Sequence, residues 1–394
     1  MVTFGERSFL LKLALITDGI TPYVMGGMQR HSANLAKYLT LAGIEVSLLH
    51  CVPYGENPPS AEKVNEELFG PLAKVELKEV ICLEFPKNGK FPGHYIRRSY
   101  SYSKMVTDAL DYSKIDFIYA KGFAAWDILK RKKKGQSFPP VGVKFHGYEM
   151  FQLSPSLKQK VDGALLRPPT KWNNVNADYV FSYGGKITEL IKELGVTDDK
   201  ILEFTSGIDS NVIRKDDRLN PIAPVKFVFV GRSEIRKGVN EIHEAIQLLI
   251  EAGENFEAHF IGPIVPFIEN DALIFHGTKS SLNDITLILD QMDVLLCPSH
   301  SEGMPNVIIE GMARELAVLT TKVGAIEVIV NDENGVFCSP GNAQSLHEAM
   351  LKFIHMNKDS LKKMRTTSKK IVIESLAWER LAESLSKKLI SIKS

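Results

Sequence analysis

The stretch VLLCPSHSEGMPNVIIEGMA, residues 294–313, decides the fold of this chain. Its first four residues, Val294 to Cys297, form a continuous apolar run, which is typical of a strand covered on both faces of a parallel sheet. Pro298 and Gly303 interrupt the run, and Pro305 suits the first turn of a helix, where a missing N–H group costs nothing. The stretch therefore predicts a buried strand, a tight loop and the start of a helix.

The same stretch predicts a binding site for an anion. The backbone N–H groups at its helix start have no partner within the helix, and they attract a group such as phosphate. Two carboxylates, Glu302 in the loop and Glu310 along the helix, flank that position. Surface carboxylates are favourable near any helix N-terminus, but the glycine, proline and asparagine of the loop favour a ligand site. A sugar nucleotide, with phosphates and hydroxyl groups, fits this combination.

A strand, a glycine loop and a helix also begin each half of the chain. A strand at 12–18 precedes the Gly26–Gly27 loop, a helix from Met28 and a second strand at 44–51, and the alternation restarts with a strand at 226–230. The 394 residues exceed what one hydrophobic core usually supports, about 250–300 residues. The sequence therefore predicts an α/β protein with two Rossmann-like, doubly wound parallel-sheet domains that face each other across a cleft.

The segment Gly231–Gly238, GRSEIRKG, follows a predicted strand directly and opens a helix. In doubly wound folds this position lies at the carboxyl edge of the sheet, where ligands bind. Arg232 offers a fixed fork of donors and Lys237 a mobile point charge, and together they suit a diphosphate. The alternative interpretation is two solvated cations at a domain edge.

Two features of the first half indicate the same cleft. The paired glycines Gly26 and Gly27 before a helix allow close approach to an anion, although such a loop is often only a turn. They do not form the G-x-G-x-x-G fingerprint of dinucleotide-binding proteins. His146 ends a predicted strand at 141–145, a position that faces the cleft in doubly wound folds, although a lone histidine is more often structural.

Charge and cysteine content argue against several other classes of protein. A net charge of +1 gives no general attraction to nucleic acid. Cys51, Cys82, Cys297 and Cys338 lack the spacing of a zinc site or a disulfide framework. Buried free thiols in a reducing cytoplasm are the simpler interpretation. The apolar run that ends at Asp18 is too short to span a bilayer.

The basic run Lys130–Lys134 allows two interpretations. Most such runs are solvated helix faces or loops. The functional alternative is attraction to an anionic membrane surface, worth about 1 kcal/mol per basic residue. The absence of interleaved aromatic residues argues against a nucleic-acid site. We therefore expect a cytoplasmic protein, with weak peripheral contact to the inner face of the plasma membrane as the alternative.

Taken together, these motifs resemble those of the family 4 (group 1) retaining glycosyltransferases, which have the GT-B fold. Residues 26–31, GGMQRH, are similar to the family's N-terminal glycine loop, and residues 145–149, FHGYE, to its histidine motif. Residues 206–209 resemble the segment that enters the interdomain linker. Residues 231–238 resemble the diphosphate motif, and residues 302–310 match the E-x7-E motif.

The resemblance implies a role for each matching position. Arg232 and Lys237 would bind the donor diphosphate, helped by the Gly26–Gly27 loop. Glu310 would accept hydrogen bonds from the ribose, and Glu302 from the transferred sugar. The backbone of the loop between them would hold the β-phosphate and the sugar: Gly303, Met304, Pro305, Asn306 and Val307. His146 would lie against the donor sugar, and with Glu302, Arg232 and Lys237 it completes the predicted catalytic set.

The resemblance also implies the division of labour between the domains. Residues 1–207 would bind the acceptor, residues 208–376 would bind the donor, and a terminal helix at about 377–394 would complete the first domain. Similar enzymes need no metal or other cofactor, and the sequence has no D-x-D pair to hold one. The chain departs from the family at Glu315, where a small residue is common, and at Ala325, where Gly-Gly is common.

The implied reaction moves a sugar, a hexose in similar enzymes, from a nucleotide diphosphate, UDP being the expected one. The acceptor would be a hydroxyl of a glycan or of a lipid-linked or cell-envelope molecule. The charges at Arg232 and Lys237 suit a diphosphate leaving group. No nucleophile–base pair is evident, which favours front-face transfer with retention. The alternatives are a non-hydrolysing sugar-nucleotide epimerase and an inactive sugar-nucleotide-binding protein, and the intact cations and carboxylates argue against the latter.

Overall fold

The computed structural model describes residues 11–87, 89, 93–153, 157–218, 223–279 and 281–393. They form two parallel sheets with helices packed around them, which confirms the prediction of two α/β parallel-sheet domains. The first sheet, in the order β3-β2-β1-β4-β5-β6-β7, contains β1 (Lys12–Ile16), β2 (Glu45–Val52), β3 (Glu79–Glu84), β4 (Phe117–Lys121), β5 (Val141–Lys144), β6 (Tyr179–Ser182) and β7 (Ile201–Glu203). The second, in the order β10-β9-β8-β11-β12-β13, contains β8 (Val225–Val230), β9 (Phe256–Ile261), β10 (Leu273–Gly277), β11 (Val294–Cys297), β12 (Ala317–Thr321) and β13 (Gly335–Cys338).

The helices follow the strands in alternation through most of the chain. Those among the strands of the first sheet are α1 (Gly27–Leu41), α2 (Ala61–Phe69), α3 (His94–Ala109), α4 (Trp126–Lys133), α5 (Leu157–Asn176) and α6 (Lys186–Glu193). Those that follow are α7 (Val239–Glu251), α8 (Leu282–Leu289), α9 (Asn306–Ala313), α10 (Ala343–Ile354), α11 (Lys358–Ile371) and α12 (Trp378–Lys393).

Strand β11 lies in the middle of the second sheet, as its apolar sequence predicts. All of its residues are buried, and Val294 lies opposite Phe227 of β8 on one side and Ala317 of β12 on the other. The strand order reverses between β8 and β11, and again between β1 and β4 in the first sheet. In open parallel sheets, ligands bind at the carboxyl ends of the strands beside such a reversal. The loops after β1, β8 and β11 leave the sheets at these reversals.

Several element boundaries differ from the sequence predictions. Helix α9 begins at Asn306, so that Pro305 precedes the helix in an extended conformation and does not occupy its first turn. Strand β1 spans Lys12–Ile16 and not 12–18, and strand β2 spans Glu45–Val52 and not 44–51. Helix α11 begins after Asn357, whose side chain accepts a hydrogen bond from the N–H of Ser360.

The last helix packs against the first sheet. Trp378 at its start is buried in the same apolar cluster as Leu13 of β1, and its ring stacks on Tyr38 of α1 with 6.0 Å between centroids. The segment before α12 also pairs with the segment that leaves the first sheet. The N–H of Ile208 donates to the carbonyl of Leu376 over 2.9 Å, and the N–H of Trp378 donates to the carbonyl of Ile208 over 3.0 Å.

The domain boundaries proposed from sequence, 207/208 and 376/377, stay a prediction. The strands of the two sheets fall at 12–203 and 225–338. Residues 1–10 of the proposed first domain, residues 219–222 of the proposed second domain and Ser394 of the terminal helix lie outside the described residues.

The basic run Lys130–Lys134 forms the end of α4, where the helix dipole favours cations. The ammonium of Lys130 lies 4.1 Å from the ring centroid of Tyr100. The other partners are polar: Arg131 with Asp108 over 2.8 Å, Lys132 with Asp178 over 2.5 Å and Lys133 with Asn176 over 3.1 Å. These contacts favour the interpretation as a helix face, and the membrane contact stays a prediction. None of the helices in the described ranges combines the length and apolarity needed to cross a bilayer.

Candidate active site

A cleft of about 840 Å³ opens between the carboxyl edges of the two sheets. The loop after β1 and the residues after β5 line it on one side, and the loops after β8 and β11 line it on the other. Every site residue predicted from the sequence lies in its wall: Gly26, Gly27, His146, Arg232, Lys237, Glu302, Gly303, Met304, Pro305, Asn306, Val307 and Glu310. The structure thus brings them together in one cavity, and their individual roles stay predictions.

Glu302 is a buried carboxylate with charged partners. The ammonium of Lys237 donates to its Oε1 over 2.6 Å, and the hydroxyl of Ser299 donates to the same oxygen over 2.8 Å. The guanidinium of Arg236 lies 3.8 Å from Oε2. Because charge-assisted hydrogen bonds are short and directional, these partners fix the orientation of the carboxylate within the cleft.

The cations of the diphosphate motif differ in exposure. The side chain of Arg232 is 74 % exposed and lies 3.0 Å from Glu234, so its guanidinium is accessible to a ligand. Arg236 is a further cation of the cleft, and it also donates to the carbonyl of Ser301 over 3.1 Å. Sequence reasoning missed it, although it lies in the same basic segment. The segment ends at Gly238 with a φ of +75°, where a Cβ atom would lie 2.3 Å from the carbonyl oxygen of Pro298, so only glycine fits.

The two sides of the cleft meet at the backbone of Glu302. The side-chain amide of Gln152 donates to the carbonyl of Glu302 over 2.7 Å, and its oxygen accepts from the N–H of Glu302 over 3.2 Å. The next residue, Gly303, packs on the backbone carbonyl of His146, where a Cβ atom would lie 1.7 Å from the oxygen. Gln152 carries no motif that would identify it from the sequence. These contacts place the predicted histidine and glutamate motifs side by side.

A second set of contacts joins the glycine loop to helix α9. Arg30 of α1 forms an ion pair with Glu310. The side-chain amide of Asn306 donates to the carbonyl of Gly27 over 3.3 Å, and its oxygen accepts from the hydroxyl of Ser206 over 2.7 Å. The carboxylate predicted to bind ribose is therefore paired with a guanidinium from the other side of the cleft. Arg30 belongs to the glycine-loop motif, residues 26–31, which by itself predicts no role for this residue.

His146 is held as a neutral ring. Its Nδ1 lies 2.7 Å from the hydroxyl of Tyr183, and its ring lies edge-on to His31, with 5.1 Å between centroids. Burial lowers the pKa of His146 well below its usual value, and the nearby charges of Lys121 and Lys144 lower it further. A neutral imidazole can offer a hydrogen bond to a ligand in the cleft without adding a positive charge.

Two buried lysines lie behind His146, at the ends of β4 and β5. The Nζ of Lys121 lies 2.8 Å from Nδ1 of His31 and 2.8 Å from the hydroxyl of Ser32. The Nζ of Lys144 donates to the carbonyl of Phe204 over 2.7 Å. Burial lowers the pKa of each lysine well below its usual value. Sequence reasoning missed both, and the available signal was a lysine at the end of an otherwise apolar strand.

The described residues contain no group of three or more His, Cys, Asp or Glu side chains that is arranged to hold a metal ion. The charges that face the cleft from the diphosphate motif are the cations of Arg232, Arg236 and Lys237. The expectation that neither a metal nor another cofactor takes part stays a prediction.

Comparisons with known proteins cover both halves of the chain. The family described as "Glycosyltransferase Family 4" matches residues 25–212, and the family described as "Glycosyl transferases group 1" matches residues 224–356. An uncharacterized glycosyltransferase of Methanocaldococcus jannaschii is 25 % identical over 370 residues, which covers 91 % of this chain and 92 % of that protein. The capsular polysaccharide biosynthesis glycosyltransferase CapM of Staphylococcus aureus is 29 % identical over 166 residues, 39 % of this chain and 43 % of that protein.

Solved structures share the architecture. Sucrose-phosphate synthase from Thermosynechococcus elongatus superposes with a TM-score of 0.74 at 14 % identity, covering 97 % of this chain and 99 % of that one. Anabaena HepE in complex with UDP superposes with a TM-score of 0.65 at 16 % identity, covering 97 % and 100 %. At such identities these structures show a common fold. Motifs, sheets and family matches agree, and the chain belongs to the family 4, group 1 glycosyltransferases, with the GT-B fold.

Proposed function

We propose that this protein transfers a sugar from a UDP-sugar to a hydroxyl group of a cell-envelope glycan or a lipid-linked acceptor, with retention of anomeric configuration and without a metal ion. One observation carries the proposal. A single cleft contains the cations of the β8 loop, the start of helix α9 and two buried carboxylates, Glu302 and Glu310. This combination matches the phosphates and hydroxyl groups of a nucleotide sugar.

In this proposal, each part of the donor is assigned to residues of the cleft. Lys237, Arg232 and Arg236 lie where they can bind the diphosphate, with the loop at Gly26–Gly27 facing them across the cleft. The free N–H groups at the start of α9 add a second anion contact. Glu310 would accept hydrogen bonds from the ribose once Arg30 moves away, and Glu302 would accept them from the transferred sugar.

The proposed chemistry requires charge stabilisation more than a covalent step. When the anomeric C–O bond breaks, negative charge grows on the diphosphate and positive character develops on the sugar. Fixed cations beside the leaving group stabilise this change, and closure of the cleft excludes water that would hydrolyse the donor. The acceptor hydroxyl then attacks from the face that the diphosphate leaves and gives its proton to a leaving oxygen. His146, held neutral, would position the sugar.

Support for the donor and the acceptor comes from different comparisons. Anabaena HepE was solved in complex with UDP-glucose, which favours a UDP-sugar among the nucleotides that this fold accommodates. CapM of Staphylococcus aureus takes part in capsular polysaccharide biosynthesis, which favours a cell-envelope acceptor. Both assignments belong to the proposal.

The test has two parts. The purified protein is first screened for thermal stabilisation by UDP-, GDP- and ADP-sugars, since a ligand at 100 times its Kd adds roughly 2.7 kcal/mol of stability. The stabilising donor is then supplied with a label in its sugar, together with candidate acceptors. Label that moves to an acceptor supports the proposal. Label that stays on a nucleotide sugar of altered configuration identifies an epimerase, and stabilisation without any conversion identifies a binding protein.

A further inference from the structure

A smaller cavity of about 240 Å³ lies beside the first sheet, between the end of β3 and the first turns of α3. Its described lining residues carry several cationic groups and no carboxylate: Pro86, Lys87, Gly89, His94, Arg97, Arg98 and Ser101. None of them lines the 840 Å³ cleft. The proposed donor site makes no use of this cavity.

Arg98 and His94 bring nitrogen groups to the cavity. The Nε of Arg98 donates to the carbonyl of Pro86 over 2.6 Å, and its guanidinium lies 4.7 Å from the ring centroid of Phe85. The ring of His94 has a buried Nδ1 without a hydrogen-bond partner among the described residues. The acid that ends β3, Glu84, accepts from the N–H of Gly55 over 2.5 Å. The cavity therefore presents a guanidinium oriented by Pro86 and Phe85, and its described lining residues include no carboxylate.

A chain of contacts runs from this cavity to Lys121 at the end of β4. The ring of Phe85 lies 5.2 Å from that of Tyr102, whose hydroxyl donates to the carbonyl of Thr17 over 2.7 Å. The hydroxyls of Thr17 and Ser32 lie 2.8 Å apart, and Ser32 accepts from Lys121 at the end of β4. Because the strands are parallel, their carboxyl ends share one edge of the sheet. A molecule that occupies the cavity therefore lies on the same edge as the proposed transfer site.

We propose that this cavity binds a phosphate group of the acceptor, so that the acceptor is a phosphorylated molecule and not a neutral glycan. The inference rests on the proposed transferase function, because it assigns a substrate class to that function. Arginine forks bind phosphate through paired hydrogen bonds, a lysine adds a point charge, and a histidine adds a ring nitrogen that can form a hydrogen bond. The cavity lies below the size range of sites for whole small-molecule ligands, about 300–1,000 Å³, but a phosphate or diphosphate group fits it.

The test uses inorganic pyrophosphate and the full chain. Pyrophosphate is titrated against thermal stability in a Lys237→Ala background, which weakens the proposed donor diphosphate site. We expect stabilisation there, and an apparent Kd at least about 10-fold higher when Lys87→Gln and Arg97→Gln are added, as the loss of charged hydrogen bonds requires. Both side chains are exposed, so their removal leaves the fold intact. Lys63→Gln, an exposed lysine of α2, is the matched control. An equal Kd in the double variant and the control overturns the proposal.

A second ligand identifies the source of the phosphate. Farnesyl diphosphate carries the same anion on a lipid chain. If it binds at least 10-fold more tightly than pyrophosphate and loses that affinity in the Lys87→Gln, Arg97→Gln variant, the acceptor is lipid-linked. Equal affinities, lost in the same variant, identify a water-soluble phosphorylated acceptor. If pyrophosphate or farnesyl diphosphate binds the variant as tightly as it binds the natural chain, the result contradicts a phosphate site in this cavity.

The test of the phosphate site and the test of the transferase function can fail independently of each other. UDP should stabilise the Lys87→Gln, Arg97→Gln variant as well as it stabilises the natural chain, because neither residue lines the donor cleft. If pyrophosphate binding responds to the variant but no labelled sugar is transferred, the anion site stands and the transferase proposal fails. If transfer occurs with unchanged acceptor KM in the variant, the transferase stands and the anion site fails.

Discussion

The edge of the second sheet carries charges in close ion pairs, whereas the buried lysines at the edge of the first sheet form their hydrogen bonds with uncharged groups. Lys237 lies 2.6 Å from the carboxylate of Glu302. The hydrogen-bond partners of Lys121 and Lys144 are a histidine nitrogen, a hydroxyl and a carbonyl. A close opposite charge keeps a side chain ionised, and burial favours its neutral form. The second edge is therefore suited to bind anions by charge, and the first is suited to position a ligand through a histidine whose pKa is lowered.

The substitution with the largest expected effect, at Lys237, tests the charged edge of the second sheet. Lys237→Ala should lower kcat/KM by about 100-fold or more, because it removes a cation from the leaving group. Steady-state kinetics with the donor found in the thermal screen measures the effect. Lys358→Ala, at an exposed position of α11, should leave the rate unchanged. A folded Lys237→Ala variant of normal activity would show that charge at this edge does not drive the reaction.

The substitution with the next largest expected effect tests the contact between Gly303 and the carbonyl of His146, where the two sheet edges meet. Gly303→Ala places a Cβ atom 1.7 Å from the carbonyl oxygen of His146, so the loop or the histidine segment must shift. Overpacking of this kind costs about 1–3 kcal/mol, and we expect a fall in kcat with donor binding largely retained. Gly27→Ala provides the comparison, since its Cβ would lie 3.4 Å from the Asn306 amide. Similar kinetics for both variants would mean that this contact is unimportant for turnover.

A smaller effect separates binding from positioning. Gln152→Leu removes both hydrogen bonds to the backbone of Glu302. Because each is worth about 0.5–1.5 kcal/mol, kcat should fall roughly 10-fold while the Kd of the donor changes little. Gln136→Leu, at an exposed position after α4, controls for the substitution. A variant that loses donor affinity and keeps its kcat would assign Gln152 to binding.

The smallest expected effect is a pH dependence of the free energy of unfolding, caused by buried histidines near the first sheet. Burial lowers the pKa of His50 in β2 from 6.5 to about 4, and it lowers the pKa values of His31 and His146 in the same direction. The unfolded chain then binds more protons, so the free energy of unfolding should fall as the pH drops below about 6.5. The slope is about 1.4 kcal/mol per pH unit for each such histidine. Urea unfolding between pH 5 and 7.5 measures it, and His50→Gln should reduce the slope by one proton. An unchanged slope would show that His50 is accessible to protons in the fold.

The second half of the site could be read from the sequence because its parts are contiguous. Residues 302–310 and 231–238 each form one loop with the start of one helix, and spacing alone places their charges at one edge of a sheet. Both sheets were predictable for a similar reason, since strands such as β11 are continuous apolar runs.

The first half resisted prediction because its parts are distant in the sequence. Lys121 and His31 are 90 residues apart, and Gln152 and Glu302 are 150 apart. No pattern links such positions without the fold. A lysine at the end of an apolar strand also looks like the point where the strand reaches solvent, so burial of Lys121 and Lys144 had no separate signal.

If Glu310 binds the ribose as proposed, the guanidinium of Arg30 and the ribose compete for one carboxylate. A ligand that offers only negative charge cannot replace the guanidinium there, because a carboxylate repels it. A ligand that offers neighbouring hydroxyl groups can, since hydroxyls donate hydrogen bonds to the oxygens that Arg30 releases. The Arg30–Glu310 pair would thus make the cleft selective for ligands with hydroxyl groups. Free phosphate would reach the cations and leave the pair closed, and a nucleotide with an intact ribose would open it.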